Sequence, residues 1–149
     1  MATVKVKKLN PKAIVPKYMS EGAAGCDVSA CLEAPKTLQP LERAALSTGL
    51  AFEIPPGFEI QVRPRSGLSF KQGITVVNAP GTIDSDYRGE LKVLLVNLNP
   101  NPVTINPGDR IAQLVLSQVE TIKWEESETL EETARAAGGF GSTGLNVSA

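Results

Sequence analysis

Glycine and proline recur along this chain at intervals too short for long helices. The 149 residues include 13 Gly and 11 Pro, and both residue types weaken or end helices. Between these interruptions apolar and polar side chains alternate, as from Phe58 to Arg63 and from Glu90 to Asn97. Such alternation is typical of strands with one buried face. The spacing therefore predicts an all-β fold, a sandwich or barrel of short strands.

The same turns separate five further segments that we predict to be strands. These are Val4 to Lys7, Leu46 to Ile54, Gly73 to Asn78, Val103 to Ile105 and Arg110 to Leu116. One helix is predicted before Leu130, over Ser66 to Gln72. From Thr133 onward large apolar residues are scarce, so we expect a flexible C-terminal tail over residues 133–149.

Composition and charge exclude several functional classes. The 15 basic and 16 acidic residues leave a net charge of −1, which argues against a general polyanion binder because such proteins cluster Lys and Arg. The chain has no histidine, so Ser-His-Asp triads, Cys-His pairs and zinc deaminase sites are excluded. No apolar run reaches the ~18 residues of a membrane span. We therefore expect a cytoplasmic protein, with Cys26 and Cys31 as reduced thiols and no nucleic-acid or membrane partner.

The turn before the predicted helix has the residue types of an anion site. Arg65 supplies positive charge, Ser66 supplies a hydroxyl, and Gly67 lets a ligand approach the backbone. The free N–H groups at a helix N-terminus favour phosphate. An ordinary Ser cap beside a solvated Arg explains the same residues, so both interpretations stay open.

A turn-rich hairpin from Asn78 to Gly89 has the residue types that recognise a planar base. Its amide and exposed backbone can bond a base edge, and the Tyr87 ring can pack on a sugar or base. One of its two acids, Asp84 and Asp86, can bind or deprotonate water. Alternatively both acids only form turns and Tyr87 fills the core.

Gln113 is a lone amide among apolar neighbours in a predicted strand. Simple alternation places it with Ile111 and Val115 on one side of that strand. A partly buried amide needs hydrogen-bond partners, so it either contacts a ligand or bonds a neighbouring backbone group.

The segment from Arg135 to Gly144 carries a cation, an aromatic ring and two hydroxyls on glycine-rich backbone. Such a segment suits closure over a nucleoside phosphate. Disorder alone explains the same composition.

Five segments, taken together and in order, resemble the five motifs of the homotrimeric dUTPase family. They are Ala24 to Val28, Pro64 to Leu68, Asn78 to Gly89, Gly108 to Leu114, and Arg135 to Gly144. They span nearly the whole chain. Two positions depart from the family pattern: Val28 stands where Leu is usual, and Ala136-Ala137 replaces Gly and an acidic residue.

The resemblance implies hydrolysis of dUTP to dUMP and pyrophosphate by water attack at the α-phosphorus. This activity keeps uracil out of DNA and supplies dUMP for thymidylate synthesis. The implied fold is a jelly-roll-like β domain over residues 1–132, with the tail over residues 133–149 closing over the active site. The implied assembly is a homotrimer with shared active sites, and Mg²⁺ is held through the triphosphate and waters with no direct protein ligand.

The resemblance also implies roles for individual residues. Asp84 activates the attacking water and Arg65 is catalytic with it, Asp27 supports the phosphate-contacting region, and Asp86 receives no role. The implied substrate-binding residues are Arg65, Ser66, Gly67, Asn78, Gly81, Thr82, Ile83, Asp84, Tyr87, Lys92, Gln113, Arg135, Phe140, Gly141 and Ser142.

Two alternative functions remain at this point. A dCTP deaminase-like enzyme of the same fold is one, although such enzymes use a Glu in the pocket where this hairpin carries Asp84. The other is a catalytically silent nucleotide-binding regulatory module, against which the presence of Asp84, Arg65 and Arg135 argues.

Overall fold

Short β-strands dominate the computed structural model, which describes residues 2–140. Within that part of the chain there are twelve strands and one helix. The strands are β1 (Lys5–Lys8), β2 (Lys17–Tyr18), β3 (Cys26–Ser29), β4 (Lys36–Leu38), β5 (Arg43–Ser47), β6 (Leu50–Glu53), β7 (Phe58–Arg63), β8 (Ile74–Val76), β9 (Gly81–Ile83), β10 (Lys92–Asn97), β11 (Val103–Ile105) and β12 (Arg110–Gln118). The helix is α1 (Ser66–Gln72), too short to cross a membrane, and no other helix is described. The all-β prediction is confirmed.

The largest sheet has five strands in the order β2-β3-β12-β7-β9, with β9 at one edge. A three-stranded sheet has the order β5-β10-β8, and β1 pairs with β6 and β11 with β4. All of these pairs are antiparallel. The nine-residue β12 lies between β3 and β7 and aligns both of them.

The two faces of the five-stranded sheet differ in polarity, because cross-strand partners share a face. One row joins Cys26, Leu114, Val62 and Gly81 and faces the apolar core. The next row joins Asp27, Gln113 and Arg63 on the opposite face. The strand register therefore brings three polar residues from distant parts of the sequence side by side.

A β-bulge in β12 contradicts the simple alternation predicted around Gln113. The register shifts between Arg110 and Ala112, so that Arg110 pairs with Ser29 and Ala112 with Val28. Ile111 and Ala112 are consequently both buried, with 1% and 0% of their surfaces exposed. The prediction that Ile111 shares a face with Gln113 is wrong because the extra residue of a bulge reverses the alternation beyond it.

The predicted strand from Leu46 to Ile54 is also wrong as a single element. It divides into β5 and β6, which pair with different partners, β10 and β1. The division occurs at Thr48 and Gly49, where Gly49 has a left-handed φ of +66° and the fully buried Thr48 donates its hydroxyl to the Leu91 carbonyl at 2.6 Å. The chain turns a corner there to reach a second sheet.

Other predicted elements agree more closely with the structure. The helix and the strands from Phe58 to Arg63 and from Val103 to Ile105 have the predicted bounds, and the remaining predicted strands differ by one to a few residues at their ends. Sequence analysis missed β2, β3, β4 and β9, which have two to four residues each. Segments of that length are too short to establish a period of two.

We predict that Gly49 tolerates alanine less well than Gly57, although both have positive φ angles of +66° and +83°. A Cβ at Gly49 would lie 2.9 Å from the Ala13 Cβ, whereas one at Gly57 would meet nothing within 4 Å. Gly57→Ala should cost about 1–2 kcal/mol of backbone strain, and Gly49→Ala about 1–3 kcal/mol more from crowding. Thermal unfolding of both variants at one protein concentration measures the difference. Equal losses would show that the corner is not tightly packed.

Candidate active site

A pocket of about 510 Å³ opens beside the edge strand β9. The hairpin that follows β8 forms one side, and the start of β10 forms the other. Seven of the residues predicted to bind substrate line it: Asn78, Gly81, Thr82, Ile83, Asp84, Tyr87 and Lys92. The structure thus gathers these seven predicted substrate-binding residues into one cavity. Val62, Glu90, Leu91 and Leu94 complete its lining.

Tyr87 stands at the surface of this pocket, with 48% of its area exposed. The alternative that it fills the core is therefore wrong. Its backbone N–H donates to the Asp84 carbonyl at 3.2 Å, and its hydroxyl donates to the Glu90 carbonyl at 3.1 Å. A Cβ at Gly89 would overlap the phenol ring, so only glycine there allows the ring its present position.

A second group of side chains is centred on Asp27, whose carboxylate is mostly buried. Asp27 Oδ2 lies 3.2 Å from Arg65 Nε and 2.9 Å from Arg110 Nη1. Arg65 Nη1 also donates to the Arg110 carbonyl at 2.8 Å. We call Asp27, Arg65 and Arg110 the arginine cluster. With two guanidinium groups and one carboxylate it has a net positive charge, which suits an anionic ligand.

The Gln113 side chain forms a hydrogen bond with neighbouring backbone, which is one of the two alternatives predicted from the sequence. Its Nε2 donates to the Pro64 carbonyl at 3.0 Å, which fixes the residue preceding Arg65. A Cβ at Gly25 would lie only 2.6 Å from Gln113 Oε1. The absence of a side chain at Gly25 therefore makes room for the amide, and the first, second and fourth motif segments meet here.

The start of α1 differs from an ordinary Ser cap. Arg65 occupies the N-cap position with extended backbone (φ −97°, ψ 127°) and makes no side-chain cap hydrogen bond. Ser66 is the first helical residue, and both it and Gly67 are exposed beside the arginine cluster. The capping alternative is wrong, and the Ser66 hydroxyl is not used to close the helix end.

Asp84, in the pocket, lies far across the five-stranded sheet from the arginine cluster. Along β7, Asp27 lies level with Arg63, because both residues pair with Gln113. Asp84 directly follows Ile83, which pairs with Ile60 near the other end of β7. Three inter-strand steps of about 4.8 Å and four residues of about 3.3 Å separate Asp27 from Asp84, a gap of about 20 Å. The Arg65 guanidinium is held at the Asp27 end, so neither side chain can bridge this gap.

Comparisons with known proteins identify the family. The dUTPase family model matches residues 11–144. The deoxyuridine 5'-triphosphate nucleotidohydrolase of Wolinella succinogenes is 55% identical over 141 residues, covering 95% of this chain and 93% of the relative. The enzyme of that name from Desulfotalea psychrophila is 59% identical over 131 residues, covering 88% and 87%.

A solved structure agrees with these sequence matches. The Staphylococcus bacteriophage 80alpha dUTPase with dUPNHPP superposes with a TM-score of 0.86 at 28% identity, covering 96% of this chain and 99% of that one. This chain belongs to the dUTPase family. Its activity is accordingly the hydrolysis of dUTP, and neither the deaminase nor the silent-module alternative is favoured.

Sequence analysis of this dUTPase missed two polar residues that the structure places at its sites. Arg110 belongs to the arginine cluster, but simple alternation assigns it to the face opposite Gln113, and only the bulge places both on one face. Glu90 lines the pocket, and its position as the first, polar residue of the predicted strand from Glu90 to Asn97 was the available signal.

Two tail residues that were expected to contact the substrate lie away from the pocket of their own chain. Arg135 and Phe140 are exposed, and neither lines the pocket. Arg135 Nε donates to the Gly138 carbonyl at 2.8 Å within a local turn. Gly141 and Ser142, also predicted to bind substrate, lie outside the described residues.

Both cysteines of the dUTPase are free thiols. Burial raises the pKa of the Cys26 thiol above its usual value, and its Sγ donates to the Leu114 carbonyl at 3.6 Å. Cys26 therefore stays protonated at neutral pH and is a packing residue rather than a nucleophile.

We predict that Asp27→Asn destabilises the protein although it preserves side-chain size. The change leaves two guanidinium groups facing each other without a counter-charge, at a cost of about 1–3 kcal/mol in this partly buried setting. Glu33→Gln is the matched control, because Glu33 forms a 2.9 Å ion pair with Lys12 that is exposed to solvent. Thermal melting should shift for Asp27→Asn only. A similar shift for both variants would mean that the arginine cluster holds no structure together.

Proposed function

We propose that this dUTPase binds dUTP in a site shared between chains of a homotrimer. The gap of about 20 Å between Asp84 and Asp27 carries the proposal. Asp84 and Arg65 are both assigned to the reacting phosphate, yet one chain cannot bring them to the same phosphorus atom. A neighbouring chain that sets its arginine cluster beside the pocket completes the site. The number of three chains follows from the family resemblance.

The base and sugar bind in the hairpin pocket. Among residues 2–140, strand β9 is a sheet edge that pairs with β7 alone. Backbone N–H and C=O groups on its other side can therefore bond the uracil edge as a further strand would. The Asn78 amide lies beside Gly81, where a Cβ would be 3.2 Å from Asn78 Nδ2. Tyr87 packs on the deoxyribose and occupies the space that a ribose 2'-hydroxyl needs.

The triphosphate binds at the arginine cluster. Arg65 and Arg110 offset its negative charge, and Ser66 and Gly67 contact the phosphates. Gln113 contacts them through the Nε2 hydrogen that it does not donate to the Pro64 carbonyl. Asp84 then accepts a proton from the water that attacks the α-phosphorus, which yields dUMP and pyrophosphate. The tail of a third chain brings Arg135 to the terminal phosphates and Phe140 over the uracil, with Gly141 and Ser142 beside them.

Magnesium fits this site as an ion carried by the nucleotide. Within residues 2–140, no three His, Cys, Asp or Glu side chains cluster as metal ligands, and Mg²⁺ often takes its ligands from substrate phosphates and water. When bound, the ion lowers the charge of the triphosphate and helps to orient it. In this proposal the reaction takes place in the cytoplasm, where it removes dUTP before it enters DNA and supplies dUMP for thymidylate synthesis.

We predict that Asp84→Asn removes most turnover while nucleotide binding persists. The amide keeps the shape of the hairpin but cannot accept a proton, and loss of a general base typically lowers rates by about 10²- to 10⁴-fold. Asp86→Asn is the matched control, because Asp86 is also exposed but does not line the pocket. Pyrophosphate release and nucleotide binding are measured for both variants. A dead Asp86→Asn beside an active Asp84→Asn would reverse the assignment.

The shared site predicts how mixed trimers behave. Asp84→Asn and Arg65→Gln should each be nearly inactive, and after unfolding and refolding together at equal amounts about a quarter of the sites should contain both intact groups. This fraction follows because each group then comes from an independently drawn chain.

Wild-type protein refolded with the Asp84→Asn, Arg65→Gln double variant is the matched control. If the two groups come from different chains, about a quarter of the sites are intact in this mixture as well. If they come from one chain, about half are intact here and none in the first mixture. Half of the sites active in the control mixture, with none active in the first mixture, would refute the shared site. The conclusion that the protein hydrolyses dUTP would not be affected.

A further inference from the structure

Glu90 occupies the wall between two cavities. On one side it lines the nucleotide pocket, and on the other it lines a surface pocket of about 330 Å³ together with Cys31, Glu33 and Ser47. Glu90 lies in the link between the hairpin and β10, directly after Gly89. It therefore joins the part of the hairpin that contains Tyr87 to the body of the domain.

Two hydrogen bonds of Glu90 connect Tyr87 to the corner between β5 and β6. The backbone carbonyl of Glu90 accepts the Tyr87 hydroxyl at 3.1 Å. The side-chain Oε1 of Glu90 accepts the backbone N–H of Gly49 at 3.0 Å. A movement of the Glu90 backbone would displace the acceptor that holds the phenol, and the Gly49 bond opposes such a movement.

The corner that receives this bond is a firm support. The next residue, Leu91, donates its N–H to the Leu50 carbonyl at 2.8 Å and accepts the Thr48 hydroxyl at 2.6 Å. Thr48 and Leu50 are fully buried, and Gly49 is enclosed tightly enough that a Cβ would meet Ala13 at 2.9 Å. By contrast, nearly half of Tyr87 faces solvent, so the ring depends on its few contacts for position.

We propose that Glu90 is a positioning residue for sugar selection, acting through Tyr87. The Glu90 carboxylate accepts the Gly49 N–H and so helps to hold the Glu90 backbone carbonyl in place. That carbonyl anchors the Tyr87 hydroxyl, and the position of the Tyr87 ring sets the volume from which a ribose 2'-hydroxyl is excluded. Selection between sugars that differ by one hydroxyl requires a side chain placed to within about 0.5 Å. This inference rests on the proposed role of Tyr87 in excluding ribose.

The test compares three substitutions of Glu90 in the full-length protein. Glu90→Gln keeps a side-chain carbonyl that can accept the Gly49 N–H, whereas Glu90→Ala removes it. Glu90→Met keeps the length of the side chain without a comparable acceptor and carries the test if Glu90→Ala does not fold. Competition kinetics with dUTP and UTP give the ratio of the two kcat/KM values, and separate kcat and KM values are recorded for each substrate.

Loss of the acceptor should lower the dUTP preference about 3- to 10-fold, the factor that corresponds to one hydrogen bond of about 1 kcal/mol. The change should come mainly from a lower KM for UTP, and Glu90→Gln should keep the wild-type ratio. In a Tyr87→Ala background, Glu90→Ala should have no further effect on the ratio, because both substitutions then act on one ring.

A second measurement follows the ring itself. The chain has two tyrosines, Tyr18 and Tyr87, so 3-fluorotyrosine labelling gives two fluorine resonances. Glu90→Ala and Glu90→Met should shift or broaden the Tyr87 signal, with the Tyr18 signal as the internal reference. Glu90→Gln should leave both signals in place.

Particular results overturn the inference. An unchanged sugar ratio in Glu90→Ala and Glu90→Met refutes it, as does an equal loss in Glu90→Gln or an additive loss in the Tyr87→Ala background. An unchanged ratio in Tyr87→Ala alone refutes instead the underlying role of Tyr87. The two failures are therefore distinguishable within one set of variants.

Discussion

The register of β12 between β3 and β7 is the constraint on which the rest of the structure depends. It places Leu114 in the core row and Gln113 in the polar row, beside Asp27 and Arg63. Because side chains alternate with a period of two, a slip of one residue would send the polar row into the core. The energy that buries the apolar row therefore also aligns the residues of the arginine cluster.

The bulge at the start of β12 adds the second cation to that cluster. Without it, the side chain of Arg110 would point to the face opposite Gln113. With it, Ile111 turns into the core and Arg110 reaches Asp27 at 2.9 Å. Asp27 and Arg110 then hold Arg65 from two sides, through a carboxylate and a backbone carbonyl. An irregularity in one strand thus shapes the arginine cluster.

The sequence predicted those elements in which the alternation extends over enough residues or in which turn residues mark both ends. The strand from Phe58 to Arg63 alternates over six residues, and the helix is bounded by Pro64 and Gly73. Short strands such as β9 carry no readable period, and the break at Gly49 depends on a buried hydroxyl contact from another segment. For the site, the hairpin residues were predicted because they are contiguous. Arg110 and Glu90 were missed because a bulge and a bond to Gly49 give them their places.

The separation of Asp84 from the arginine cluster has a consequence for how the activity depends on protein concentration. In the proposed shared site, an isolated chain contains both Asp84 and an arginine cluster, but they lie too far apart to form one complete active site. A newly made chain is then inert until it meets others, and specific activity follows the assembled fraction. On strong dilution turnover falls faster than the amount of protein, because the loss of one partner disables sites on its neighbours. Association thereby becomes a means of setting enzyme activity, independent of any change at the substrate.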